Sequence, residues 1–216
     1  MRSLRYFVNN TDRILGYAGE HAVLILMAVV MAVLVWVSVG ILIRNNRRMA
    51  RGVLGIASLI MSVPSVALYG ILVTIPGLGL SRQSAVLALV LYAMLPIIRN
   101  VYVALNGVDA AIMENARGMG MSARRILFRV QLPLATPVIL AGVRVSVVMM
   151  VGIATLAVFI GERNLGVLIQ QGLVRTRSDM IIVGAVLVSA FAIGIDYLFS
   201  KLEHLLVSPG IRGEAA

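Results

Sequence analysis

The sequence predicts an all-α integral membrane protein with about five transmembrane helices. Three observations carry that expectation. The 216-residue chain is 60% hydrophobic and only 13% charged, with mean hydropathy +0.99. A soluble domain of this length would lack the polar surface it needs. Apolar runs of about 20 residues recur along the chain, the length that crosses a bilayer core as a helix. The basic residues behind the net charge of +10 cluster beside the ends of those runs, which is how membrane proteins set topology. Aromatic residues are sparse and not interleaved with the arginines, so a base-stacking nucleic-acid surface is not expected. With no cysteine in the chain, disulfides, thiolate nucleophiles and cysteine metal sites are excluded.

Residues 1–20 read as an external, interfacial or loosely ordered lead-in, because Arg2, Arg5 and Arg13 surround polar Asn9, Asn10, Thr11 and Asp12. The apolar run that follows is too long for the core of a cleaved signal peptide. A transmembrane domain is expected over 21–200. Its spans are 21–43, with no internal charge; 52–75, interrupted by Pro64; 84–105, with Pro96 and Arg99; 136–160, with Arg144; and 179–200, with Asp196. Helices satisfy their own backbone groups in lipid, where nothing else does. Arginines are densest at 44–51 and 117–129. The positive-inside rule therefore places those loops and the tail 201–216 in the cytoplasm, and the N-terminus outside. Ala185 with Ser189 and Ala190 with Gly194 permit close helix packing, within this bundle or against a second subunit.

The segment 106–135 is a polar island between two spans. Residues 108–119 alternate Val108, Ile112 and Ala116 with Asp109, Glu114, Asn115 and Arg117, an amphipathic helical pattern. Gly118 and Gly120 bracket Met119, where the backbone can turn sharply. Ser122 is placed to cap a second short helix over 123–131, which Leu132-Pro133 is expected to end. The expected product is a helix–turn–helix hairpin with a basic rim at the cytoplasmic surface.

The island reads Glu114-Asn115-Ala116, three residues, Gly120, nine residues, Val130, one residue, Leu132-Pro133. This spacing resembles the EAA signature of permease subunits of ATP-binding-cassette (ABC) importers, with Asn115 for the usual alanine and Val130 for the usual isoleucine. The resemblance implies a MetI-like ABC importer permease fold. It also implies that Glu114, Asn115, Ala116, Arg117, Gly118, Met119, Gly120, Met121, Ser122, Leu132 and Pro133 form a coupling helix and turn that dock on a separate ATPase. Pro64-Ser65, Leu95-Pro96-Ile97, Gly118-Met119-Gly120-Met121, Ala141-Gly142-Val143-Arg144, Ala154-Thr155-Leu156-Ala157 and Ser208-Pro209-Gly210-Ile211-Arg212 look like permeases for glycine betaine, carnitine, choline or related osmoprotectants. The segment 161–166 departs from that pattern, being more charged.

On this resemblance the expected partners are ABC ATPase subunits, a second permease subunit (identical or paralogous), an extracytoplasmic substrate-binding protein and membrane lipid. The expected place is a bacterial inner membrane. No cofactor is expected in this chain: the sequence G-x-x-x-x-G-K-[ST] is absent, and ATP would be bound by the partner. No catalytic or metal-binding residue is expected either. His21 and His204 lie far apart along the chain, and Asp109 and Glu114 fall on different faces of a helix. Tyr69 and Tyr92 are candidates along the solute's route, since aromatic faces attract quaternary ammonium groups; helix packing is their other reading. Near the inner surface, Arg144 reads as structural, in an ion pair or as a helix cap, and Asp196 as an interfacial partner for an arginine, with Glu162 and Arg163 as solvated loop residues. Two other functions remain open: an ABC permease for another small solute such as an amino acid, and an autonomous channel or secondary transporter.

Overall fold

A computed structural model describes residues 2–206, and the motif at 208–212 and the last ten residues of the expected tail lie outside them. The described residues are helical throughout, joined by short turns. In chain order the helices are α1 (Arg2–Asn9), α2 (Thr11–Ile43), α3 (Arg47–Ser62), α4 (Ser65–Val73), α5 (Arg82–Asn106), α6 (Ala110–Gly118), α7 (Ala123–Ile126), α8 (Leu132–Ala154), α9 (Gly166–Val174) and α10 (Ser178–Leu206). A π-helical turn at Leu127–Gln131 joins α7 to α8, and a 3-10 turn at Thr155–Ile160 follows α8. Among the described residues, four stretches are long and apolar enough to span a membrane, and α3 with α4 makes a fifth if the bent pair counts as one span.

Three boundaries differ from the sequence reading, each for a local reason. The first long helix starts at Thr11, not His21, so much of the expected lead-in 1–20 is helix. Hydropathy marks where the apolar run begins, whereas the helix continues outward past it. Asn10 Nδ2 donates to the Tyr6 carbonyl at 2.9 Å, and Thr11 Oγ1 donates to the carbonyls of Phe7 and Val8, which closes α1 and separates it from α2. The expected span 52–75 is two helices bent by 99°. Proline has no N–H and forces its predecessor out of the helical region; accordingly Val63 is extended, at φ −70 and ψ 131. Finally, Leu132-Pro133 does not end a short helix. Residues Ala123–Ile160 form one continuous 38-residue stretch. The π turn ends just before Pro133, in the first turn of α8, with the Leu132 N–H donating back to the Leu127 carbonyl, so the ladder skips a register where proline offers no donor.

α5 is the buried column of the bundle and packs against α2, α3, α4 and α8. It runs parallel to α2: Glu20 meets Arg82 near the two starts, and Gly40 meets Val101 further along. α8 runs the other way, with Gly142 against Asn100. α10 begins beside α9 and ends with Asp196 against Arg144. Consequently α1, the turn at 74–81 and the segment 161–177 share one end of the bundle. The turn at 44–46, residues 107–131 and the last turns of α10 share the other. Ala185, Ser189, Ala190 and Gly194 are all exposed on α10, so they do not pack this chain's own bundle.

The helix crossings are tight enough to need glycine. A Cβ on Gly142 would stand 2.4 Å from the Asn100 Cβ, and one on Gly40 would stand 2.6 Å from Val101 Cγ1. Gly142→Ala is expected to destabilise the bundle by about 1–3 kcal/mol through overpacking. Gly152→Ala in the same helix has open space, and should leave stability equal or slightly raised. Thermal unfolding of the two variants in detergent, followed by helical signal, checks the difference.

Candidate functional site

The polar island folds as the hairpin that its pattern predicts, and backbone chemistry accounts for each bend. Asp109 caps α6 by accepting from the Ala111 N–H at 2.8 Å. At the far end of α6, the Gly120 N–H donates to the Arg117 carbonyl at 2.9 Å and the Met121 N–H to the Ala116 carbonyl at 3.2 Å. This double closure is the Schellman arrangement, and it requires a left-handed residue just past the helix. Gly120 fills that place at φ +73. Gly118 is an ordinary helical residue in α6. Ser122 then caps α7, accepting from the Arg125 N–H. Gln131 Nε2 donates to the Leu105 carbonyl at 2.7 Å, which ties the hairpin's return to the end of α5.

Ala116 and Ile126 are buried between the two arms, while Met119 and Phe128 are exposed. Asn115, Arg117, Ser122, Arg124 and Arg125 are exposed, with Met121 half-buried at the turn; at the start of α8, Leu132 is half-buried and Pro133 exposed. The hairpin thus offers an apolar tip inside a rim of cations. Glu114 is exposed on α6 and makes no hydrogen bond or ion pair among the described residues, so it does not brace the hairpin from within. It lines a cleft of about 330 Å³ with Arg44, Asn106, Arg117 and Gln131.

Tyr69 and Tyr92, the candidates along a solute route, are both buried. The Tyr92 hydroxyl donates to the Val63 carbonyl at the break between α3 and α4. The Tyr69 hydroxyl donates to the Ile153 carbonyl, 3.3 Å away, at the end of α8. Both side chains lock helix breaks in place, which is the packing reading rather than the solute-facing one.

Two ion-pair groups brace the opposite ends. Near the hairpin end, Arg144 Nε and Nη2 grip Asp196 bidentately at 2.5 and 2.6 Å, with Glu203 3.9 Å from Nη1. The structural role the sequence suggests for each residue is thus filled by the other, and the pair staples α8 to α10. At the far end, Arg82 holds Glu20 at 2.5 Å and Glu162 at 3.2 Å. Glu162 is therefore not a solvated loop residue, its side chain being 12% exposed; Arg163 beside it is exposed. Sequence reasoning overlooked this cluster because its members lie on three separate elements.

It also overlooked Asn164, which is fully buried. Its Nδ2 donates to the Ala154 carbonyl at 3.0 Å, and its Oδ1 accepts from the Gly166 N–H at 2.7 Å. Gly166 in turn lies so close to Thr155 that a Cβ would stand 2.0 Å from the carbonyl oxygen. An Asn-x-Gly after a left-handed glycine, Gly161 at φ +91, is the local signal that marks such a reversal.

A helical bundle with a broken second span and a hairpin at one end defines a membrane permease component. Residues 25–212 match the family described as the inner membrane component of binding-protein-dependent transport systems, and the chain belongs to that family. It is a transporter permease subunit, not an enzyme. The chain is 35% identical to the osmoprotectant import permease protein OsmW of Salmonella typhimurium, over 98% of its own length and 100% of that protein's. It is 37% identical to the carnitine transport permease protein OpuCB of Listeria monocytogenes, over 96% and 94% of the two chains. Identity is also 37% to the choline transport system permease protein OpuBB of Bacillus subtilis, over 97% and 95%. Among solved structures, an inward-facing MetNI methionine ABC transporter contains a chain with TM-score 0.81 at 20% identity, covering 93% of this chain and 99% of that one. That likeness carries the MetI-like fold.

The staple between α8 and α10 has a direct test. Asp196→Asn and Arg144→Gln should each lower the melting temperature of the purified protein. The double variant should lose less than the sum, because the second change no longer strands a charge. Additive losses would remove the pairing.

Proposed function

We propose that this chain is the permease subunit of an ATP-driven importer for osmoprotectants such as glycine betaine, carnitine or choline. The observation that carries this reading is the EAA spacing, folded as a capped hairpin with its glycine in the Schellman position. The names of the relatives supply the solute class. Two such subunits, identical or paralogous, enclose the pathway, and an extracytoplasmic binding protein delivers solute to the turns at 74–81 and 161–177. The hairpin end faces the cytoplasm and the N-terminus lies outside, as the arginine clusters at 44–51 and 117–129 favour.

ATP binds to the partner ATPase and not to this chain. The groove of that ATPase receives the residues Glu114–Ser122, with Met119 as the apolar contact and Arg117, Arg124 and Arg125 as the cationic rim. Closure of the ATPase dimer moves the hairpin. Gln131 and the continuous helix from Ala123 to Ile160 carry that motion into α5 and α8. The two access states then differ in contact energy with the partners, which is what coupling requires.

Gly120 gives the sharpest test, because no neighbour stands within 4 Å of a Cβ there and only the left-handed backbone, at φ +73, opposes a side chain, most of all a β-branched one. Gly120→Val should insert normally in the membrane yet lose ATP-driven uptake and co-purification of the ATPase. Gly120→Asn, tolerated in the left-handed region, should retain much of both. Uptake of labelled betaine, choline and carnitine in cells without other osmolyte transporters checks the solute class. Normal transport by Gly120→Val would remove the coupling role, and uptake of an amino acid alone would replace the solute.

A further inference from the structure

A cavity of about 1030 Å³ lies at the end opposite the hairpin, between α1, the start of α2 and the α9–α10 turn. Arg5, Arg13, Arg175 and Arg177 line it, with Asp179 as its one carboxylate. Asp179 is already engaged by Arg177, whose Nε donates to Oδ1 at 3.1 Å. The Arg177 guanidinium also stacks over the Tyr6 ring, 5.3 Å from its centroid. Arg177 is thus held in place and kept firmly charged, chiefly by the Asp179 hydrogen bond. Arg5, Arg13 and Arg175 have no carboxylate within salt-bridge distance among the described residues. Asp12, Glu20 and Arg163 belong to a neighbouring, smaller cavity that shares Arg13.

The surroundings of this cationic cup are apolar. Leu4 and Val8, four residues apart on one face of α1, are 71% and 63% exposed. Leu15, Leu173 and Val174 are exposed just beside it in the chain, and Ile182, a turn inside α10, is exposed and lines the cavity itself. The arginines therefore sit at the boundary where polar helix ends give way to membrane-facing helix. A phosphate that also carries acyl chains matches both halves of this arrangement. A carboxylate on a partner protein matches only the cationic half.

We infer that this cavity binds the glycerophosphate headgroup of an anionic phospholipid, in the leaflet opposite the coupling hairpin, with an acyl chain along Ile182. The arginines hold the phosphate through charge-assisted hydrogen bonds, and α1 closes over the lipid as a strap. These contacts stand apart from the coupling hairpin, while Arg175 and Arg177 belong to the 161–177 segment proposed above to meet the binding protein.

The test uses the purified full chain in detergent, stripped of lipid and titrated with phosphatidylglycerol or phosphatidylcholine of identical acyl chains, with bound lipid counted by native mass spectrometry. Phosphatidylglycerol should bind at least tenfold more tightly. Each arginine removed should weaken it about fivefold, so Arg5→Gln with Arg175→Gln should largely abolish the preference. Arg5→Lys with Arg175→Lys should retain most of it, and serves as the folding control. Ile182→Ser should weaken the lipid but not free glycerol phosphate, which separates a headgroup site from a simple phosphate site. Equal binding of the two lipids overturns the proposal, as does a preference untouched by the double glutamine variant. Loss of binding-protein docking in that variant with lipid retention unchanged also overturns it, and would make the cup a protein contact.

Discussion

Every backbone polar group inside a bilayer must find a partner within the protein, and the architecture follows from that constraint. Where the helices run unbroken, the ladder itself suffices. Where they break, a side chain from elsewhere supplies the missing bond. Tyr92 serves the carbonyl of Val63 at the break before Pro64. Tyr69 and Asn164 serve the carbonyls of Ile153 and Ala154, where α8 tightens into a 3-10 turn. Such bonds fix the angle of each break as well as satisfying it. The alternative is an orphaned carbonyl in lipid, which costs several kcal/mol, about as much as a small protein can spare.

The same economy makes α5 the structural centre. Its neighbours approach closely because Gly40 and Gly142 have no side chain to hold them off. Without a hydrophobic driving force between helices in lipid, close van der Waals contact of this kind supplies much of the cohesion. α5 also leads directly into the hairpin, and Gln131 ties the return arm back to the Leu105 carbonyl in its last turn. The hairpin is therefore joined directly to α5 and α8, whose crossing is tight. Ion pairs finish the job at the ends: Arg144 with Asp196 on one side, and Arg82 with Glu20 and Glu162 on the other.

Much of this was legible from residues alone. Gly120 and Ser122 act locally, within a few positions of the groups they satisfy, so their spacing predicted the turn and the second cap. The Asp109 cap acts over the same short range but was first seen in the fold. Pro64 announced the break in the second span by the same local logic. Pro133 misled, because proline within a helix has more than one solution: termination in the sequence reading, a π turn in the fold. Tyr69 and Tyr92 left two readings open for another reason. An aromatic residue in a span reads the same whether its ring faces a pathway or its hydroxyl closes a neighbour's helix, and only the position of the neighbour distinguishes them.

The sequence by itself determined the solvent, the helical class, the polar hairpin and its turning residue, since hydropathy, capping and backbone sterics operate over single turns of chain. Tertiary structure alone decided which groups meet across distance. It brought Glu20, Arg82 and Glu162 from three elements into one cluster, buried Asn164 under the end of α8, and gathered arginines from α1, α2 and the α9–α10 turn around one cavity. Those pairings depend on helix order and crossing angle, which no spacing along the chain encodes.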